Sequence, residues 1–587
     1  MSQIQTGMRG FGKTVFTGME IEEFQFEVLD IMPNFRAKRD LILVRLLGEK
    51  VEHTGVVAGM SGSPMYIDGK LIGALAFSFG LFSKEPIAGV TPIEQMREIL
   101  DRERVRSQEL AIRQGFNHNY LEVAVGAQKF DWDVFIPPHF ETLRSNRSVT
   151  TQFYPLETPL LFSGFQGASL ALSERMFGGL GFKVIHSGGS FSTSLPMSDA
   201  PLEPGAAFSV VIVDGDIGLQ ATGTVTYRDG DHVFGFGHPF LNFGAVTLPM
   251  AKTKILTTLS SFMSSFKMSA LTEIVGTLHQ DRSTGVMGVS GEEAHMIPFH
   301  LTFRSHFQDE SEFNFRIAED RSLHSLTPLV FTIVLNSAIE SARLSRGNQT
   351  LKLDGEIKLE GHDPIHLQNY YAGSAMSFTS DASLASGEIA ATVGAILSNN
   401  FEIPKIERVD LNFEVRHKSF IGQVLSIEVS KTTVSPGDEI RIAVQIKEFQ
   451  GQKHIVRHTL TIPDEIEARR IALYVGSGSL LTQLEVRTSP QKYRPKKFKQ
   501  LVELLEKRRK NNFLFFQIKR RDKGVLVQGE ALPGLPPSIL TIMNSQKSTG
   551  NVIALRYRVL KEESVPVDYA ISGGRTIWLR VKPKDNE

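Results

Sequence analysis

The 587-residue chain contains no cysteine. That excludes disulfide cross-links, a thiol nucleophile and cysteine-ligated zinc, while leaving the compartment open. Net charge is absent as well. Lys+Arg and Asp+Glu stand at 64 each, so the global balance gives no reason to expect nucleic acid or an acidic membrane as partner. Long apolar runs are missing too: LTPLVFTIVL (326–335) is the longest and is too short to span a bilayer. No charged-then-apolar leader opens the chain. Met1 is followed almost at once by GMRGFGKTVFTGMEIEEF, which reads as folded domain. Two expectations stand side by side: a cytoplasmic protein, or an exported one whose signal has been removed and Met1 added. No P-loop or dinucleotide fingerprint sits between a strand and a helix, no internal repeat is found, and no cofactor is expected. His454 and His458 in KHIVRH are four apart, but in strand-like text they read as solvated surface rather than a helical metal pair.

What is present begins at residues 59–64, GMSGSP. A glycine two residues before a serine, and another just after it, is what a nucleophile turn requires. Gly59 can take the positive φ that points its N–H beside that of Ser61, so the two amides form an oxyanion hole. Gly62 leaves room for a substrate backbone. Ser63 is the weaker nucleophile, placed where the chain must stay compact. The bland alternative is a tight glycine turn whose serine only caps backbone. Behind it, MYIDGKLIGALAF (65–77) reads as strand, Asp68-Gly69 turn, strand. A further strand and a helix follow in AGVTPIEQM (88–96), with Thr91 as expected N-cap, Pro92 at the first helical position and Glu94 completing a capping box.

The second informative block is GTVTYRDGDHVFGFGHPFLNFG (223–244). His238 lies in GFGHPF, between Gly237 and Pro239, where a turn can present its ring to a cleft. An imidazole can take a serine's proton and return it to a leaving amine. His232, in a polar turn, reads as solvated, and a buried core histidine is the ordinary alternative for His238. The text between and beyond these blocks is less specific. HSGGSFSTSLPMSDAPLEPGAA (186–207) is a loop or linker, and helical text appears near 329–345 and 386–400. Regular short strands run from 409 to about 490. PKKFKQLVELLEKRRK (495–510) is a basic amphipathic helix with Phe498, Leu501, Val502 and Leu505 on one face. With KRRDK (519–523) it can reach phosphates, although wet lysines and arginines on an ordinary helix are the simpler reading.

The order nucleophile turn, hairpin, glycine-bearing loop and returning strand resembles the second half-barrel of a chymotrypsin-like protease, whose motif is GDSGGP. TGVVAGMSGSPMYIDGKLIGA (54–74) resembles more closely the SpoIVB-type serine peptidases of bacteria. The block around His238 resembles the segment carrying that family's catalytic histidine, and VGTLHQDRSTGVMG (275–288) is another similar piece. The resemblance covers roughly residues 5–100 and 200–300. It implies a serine endopeptidase acting on a protein substrate outside the cytoplasm (periplasmic or secreted), with Ser61 as nucleophile, His238 as base and no cofactor. Family members cleave a protein in a regulatory pathway, some after self-cleavage. The family places histidine before serine, whereas here Ser61 comes first, so the two half-barrels must be joined in permuted order. The family's aspartate is expected shortly before the serine turn. Asp40, Asp229 and Asp231 are the candidates, with a Ser–His dyad oriented by a carbonyl as the other possibility.

The expected fold is mainly β: a permuted chymotrypsin-like double β-barrel followed by β-sandwich-like C-terminal modules with a few helices. The expected units are a serine-bearing half-barrel plus helix (1–110), a connector or small subdomain (111–200) and a histidine-bearing half-barrel (201–325). A mixed helical segment (326–405), a β-sandwich-like domain (406–490) and an amphipathic helix with a β-rich module (491–587) complete the chain. The C-terminal β modules are expected to dock a partner protein or envelope material. Two rivals remain, a non-catalytic protease-like scaffold and an envelope-associated binding protein.

Overall fold

The Asp68-Gly69 pair does what its chemistry allows: both residues take positive φ, 49° and 72°. They reverse the chain between strands β4 (Pro64–Ile67) and β5 (Lys70–Phe79). A computed structural model of the protein describes residues 1, 3–79, 84–105, 118–128, 153–178, 180–187, 202–305, 308–323, 326–342, 349–372, 380–464, 466, 468–527, 530–532, 535–543 and 552–582. Parts of the expected connector, including 130–140 and most of the Ser/Gly/Pro-rich loop at 186–207, lie outside the described residues.

The structure is mainly β. Its first sheet holds β1 (Arg9–Thr14), β2 (Glu22–Arg36), β3 (Arg39–Leu47), β4, β5 and β6 (Ile87–Pro92). The order β4-β1-β2-β3-β6-β5, with β4 also paired to β5, closes a six-stranded barrel, and β7 (Phe153–Pro155) adds to β5. Apolar residues at every second position fill it: Phe24, Phe26 and Val28 from β2 meet Val44 and Leu46 from β3.

The second sheet has thirteen strands. They are β8 (Thr158–Ser163), β9 (Phe182–Ser187), β10 (Ala207–Gly215), β11 (Gly218–Asp229), β12 (His232–Gly235), β13 (Gly244–Leu259), β14 (Phe266–Arg282), β15 (Gly285–Ser290), β16 (Met296–Ser305), β17 (Gln308–Ala318), β18 (Thr350–Leu359), β19 (Ile365–Ala372) and β20 (Ile406–Arg416). Within it the pairings β10-β13-β14-β15-β12-β11 return on themselves, because β10 also pairs β11. The remaining strands extend that ring as an open sheet, with β20 parallel to β16. Helices Thr327–Ser341 and Asp381–Leu397 are apolar on nearly all sides, and both are buried in the core of this sheet.

The C-terminal part is two sheets over one core. One holds β21 (Ile421–Val429), β23 (Glu439–Glu448), β24 (Lys453–Thr461) and β29 (Ala570–Ser572). The other holds β22 (Thr433–Val434), β25 (Arg470–Ser477), β26 (Phe513–Val527), β27 (Glu530–Leu532), β28 (Val552–Pro566) and β30 (Gly574–Val581). The amphipathic helix forms as Phe498–Glu506 with Phe498, Leu501 and Leu505 buried.

One local expectation is corrected. The helix after β6 starts at Ile93, with no side-chain cap. Thr91 does not cap it, because the strand continues to Pro92 and the Thr91 hydroxyl donates instead to the Gly237 carbonyl at 2.6 Å.

Candidate active site

The serine turn hangs between helix Glu49–Thr54 and β4, and its shape is set by glycine. Gly59 has φ 96° and Gly62 φ 95°, conformations open to glycine at little cost. The turn is held from inside its own barrel by Gly62 N–H donating to the Leu75 carbonyl at 2.8 Å and Ser63 N–H to the Met60 carbonyl at 2.9 Å. From the other side it is held by β11. Thr224 N–H donates to the Ser61 carbonyl at 2.8 Å, Thr224 Oγ1 to the Gly59 carbonyl at 3.0 Å, and Thr226 Oγ1 to the Gly62 carbonyl at 2.7 Å.

The histidine turn meets the serine turn directly. A Cβ on Gly62 would stand 2.0 Å from the Thr224 carbonyl oxygen and 2.5 Å from the Phe236 amide nitrogen. Ser61 is one residue from that contact and His238 two. Phe236 and Gly237 both have positive φ, 66° and 67°. Gly237 is packed so closely on β5 that a Cβ there would lie 2.8 Å from the Ala74 side chain. The two segments singled out in the sequence, 177 residues apart (238 − 61), therefore share one interface.

Around this contact several polar atoms are buried without partners. Ser61 Oγ, Ser63 Oγ and His238 Nε2 have no hydrogen bond among the described residues, so Ser61 and His238 are not bonded to each other. The backbone amides of Gly59 and Ser61 likewise have no acceptor there. His238 is buried, and its Nδ1 lies 2.8 Å from the Pro239 carbonyl. With Nδ1 as donor the Nε2 lone pair is free to act as a base. Burial pulls the imidazole down to about 4. The Pro239 bond works against that, and the Arg36 charge adds to it.

No candidate aspartate bonds to this ring. Asp40 accepts the Asn34 amide at 2.9 Å across the β2–β3 hairpin. Asp229 and Asp231 are exposed at the tip of the β11–β12 hairpin. From Asp231 to His238 the chain runs up the hairpin at about 3.3 Å per residue, away from that tip.

The sequence reading missed two buried charged groups. Asp281, near the end of β14, accepts the amides of Phe240 at 2.7 Å, Leu241 at 2.8 Å and Phe243 at 3.1 Å. It thus builds the loop directly after His238. Burial pushes its carboxyl up to about 6 against the pull of those amides. It lies in the HQDRSTG text noted for its resemblance, but nothing local marks it as a loop anchor. Lys267 on β14 is wholly buried, its stem packed on Gly59 and its Nζ donating to Thr14 Oγ1 at 2.7 Å. Burial lowers it to about 7. A lone lysine in strand text ordinarily reads as solvent-facing. No group of three or more metal-ligating side chains occurs among the described residues.

A family model described as SpoIVB peptidase S55 matches residues 2–96. The matched segment spans the first barrel and the serine turn and stops short of His238. No curated protein and no solved structure matches the chain.

Proposed function

We propose that the chain is a serine endopeptidase of the SpoIVB type, acting on a protein substrate outside the cytoplasm through a permuted, chymotrypsin-like pair of barrels. The observation that carries this reading is the docking of the serine turn on β11 and the His238 turn. It leaves a hydroxyl, an imidazole nitrogen and two amides unpartnered within three residues of one backbone contact. Buried polar groups ordinarily find partners, and clustered exceptions need a reason.

In the proposed reaction Ser61 Oγ attacks the scissile carbonyl carbon while its proton passes to His238 Nε2. The Gly59 and Ser61 amides receive the negative oxygen of the tetrahedral intermediate. The imidazolium then protonates the departing amine, and water repeats the sequence on the acyl-enzyme. The Pro239 carbonyl holds the Nδ1 proton, the orienting task a carboxylate performs elsewhere. Ser61 is wholly buried, so substrate must open the contact and draw Oγ and Nε2 into bonding distance.

A second reading, a non-catalytic scaffold or envelope-associated binding protein, draws on that same burial and on the lack of a carboxylate at His238 among the described residues. A fluorophosphonate probe separates the two. The peptidase reading expects covalent labelling of the folded protein, none in Ser61→Ala, and at least a roughly hundredfold slower reaction in His238→Ala. Folded protein that never labels selects the scaffold.

A further inference from the structure

We infer that the C-terminal sandwich carries a docking surface for membranes rich in anionic phospholipid. The surface lies at one end of the sheet containing β25, β26, β28 and β30. Arg469, Arg470, Arg520, Arg521, Arg558, Arg580 and Lys582 gather around a recess of about 1740 Å³ there, and Asp464 is the one acid among the described residues lining it. Cations are set directly against cations across the ladder, Arg470 opposite Arg580 and Arg520 opposite Arg558. Like charges in that position destabilise a sheet. Among the described residues Arg469, Arg470, Arg558 and Arg580 have no carboxylate in ion-pair contact. In a chain whose formal charge sums to zero, this segregation calls for an anionic ligand.

The apolar groups mixed into the patch select the kind of anion. Trp578 is 46 % exposed in the middle of the arginines, with the Arg521 guanidinium 5.9 Å from its ring. On β28, Tyr557 lies under Lys519 at 5.1 Å, and Val559 is exposed. Pro436, Ile466, Ala468 and Val581 line the recess between the cations. A nucleic-acid strand would leave those aliphatic groups in water. A bilayer surface satisfies both kinds at once, because guanidinium groups meet phosphates while tryptophan and the aliphatic groups enter the headgroup–acyl boundary. The assignment does not depend on the peptidase reading.

The test is sedimentation of the full chain with vesicles of phosphatidylcholine, with and without phosphatidylglycerol. Tryptophan emission, excited selectively over tyrosine, is followed in a Trp132→Phe background, so that Trp578 is the only tryptophan. Expected are binding to the anionic vesicles alone, weakening at high salt, and quenching of Trp578 by brominated acyl chains. Each cation near the surface is worth about fivefold in affinity, so Arg470→Gln/Arg521→Gln/Arg580→Gln binds about a hundredfold more weakly. The corresponding triple lysine variant, which keeps the charge, recovers most of the binding and guards against a folding defect. Equal binding to neutral vesicles, no binding, or an unaffected triple glutamine variant overturns the proposal. So does salt-sensitive binding to a single-stranded oligonucleotide in place of vesicles.

Discussion

Lys267 is a wholly buried cation beside the serine turn. Its amine is buried and donates to the Thr14 hydroxyl, and burial brings it from 10.5 to about 7. The unfolded chain therefore binds this proton more readily than the folded one between those values. It follows that the lysine's cost to stability is largest at and below pH 7 and is relieved as pH rises towards 10.5. At about 1.4 kcal/mol per unit, the neutral Lys267→Met is expected to be more stable than wild type by a few kcal/mol at pH 7. Chemical denaturation at pH 7 and pH 10 should show that difference shrinking at the higher pH. If Lys267→Met instead unfolds more easily at both, the amine is a structural partner of Thr14 rather than a strained charge. This residue was invisible in the sequence because β14 alternates Lys267, Ser269 and Leu271 inward, a mixed pattern that gives no inside and outside. The turns that carry Ser61 and His238 were legible because their glycines mark the positive-φ positions, Gly59, Gly62 and Gly237.

Strands and turns divide the same way. The β4–β5 hairpin and the positive φ of Gly59 and Gly237 follow from local chemistry and stand as read, whereas the space beside Gly62, read as room for a substrate backbone, is filled by Thr224 and Phe236. What no window could show is that Thr224 and Thr226, alternate residues of an ordinary-looking strand, hold the serine turn by its carbonyls. Thr91 was misread for the same reason: its acceptor, Gly237, lies 146 residues away in sequence. Gly62 is where this non-local contact is least forgiving. A methyl group there meets the Thr224 carbonyl at 2.0 Å on a backbone with φ 95°. Gly62→Ala should cost about 3 kcal/mol or more and separate the two turns. Thermal unfolding would register the cost, and loss of probe labelling in the still-folded fraction would register the separation. A Gly62→Ala protein with wild-type melting and labelling would mean that the turns do not close on each other in solution.

Across the chain as a whole, the charge sum is silent about how the charges are distributed. The formal charge sums to zero, and within that balance the fold gathers arginines at one end of a sheet and places most acids elsewhere. One such acid, Glu485, lies under Arg509, which spans Glu485 and Glu562 with bonds of 2.8–3.1 Å. Burial pushes Glu485 up, but Arg509 and Lys492 outweigh it and hold it at about 2. A depressed carboxylate stabilises above its unfolded value and loses that contribution as pH falls through the folded one. The C-terminal sandwich should accordingly weaken between about pH 4.5 and pH 2. Glu485→Gln should remove that dependence and cost about 3–5 kcal/mol at neutral pH by leaving Arg509 half paired. Scanning calorimetry across that range reads both effects, and an acid transition unchanged in Glu485→Gln would assign it to other groups.

The chain order of the two turns also imposes a timetable. Every strand of the first barrel has been synthesised by Pro92, whereas β11, which receives the serine turn, ends at Asp229 and His238 follows it. At roughly 5–20 residues per second the ribosome needs on the order of ten to thirty seconds to bridge the two. During that interval the serine turn lacks the threonines that bond its carbonyls and, on the peptidase reading, the proposed base His238. On the proposed peptidase reading such a chain is chemically mute while it is being made, and the later segment would both close the site and arm it.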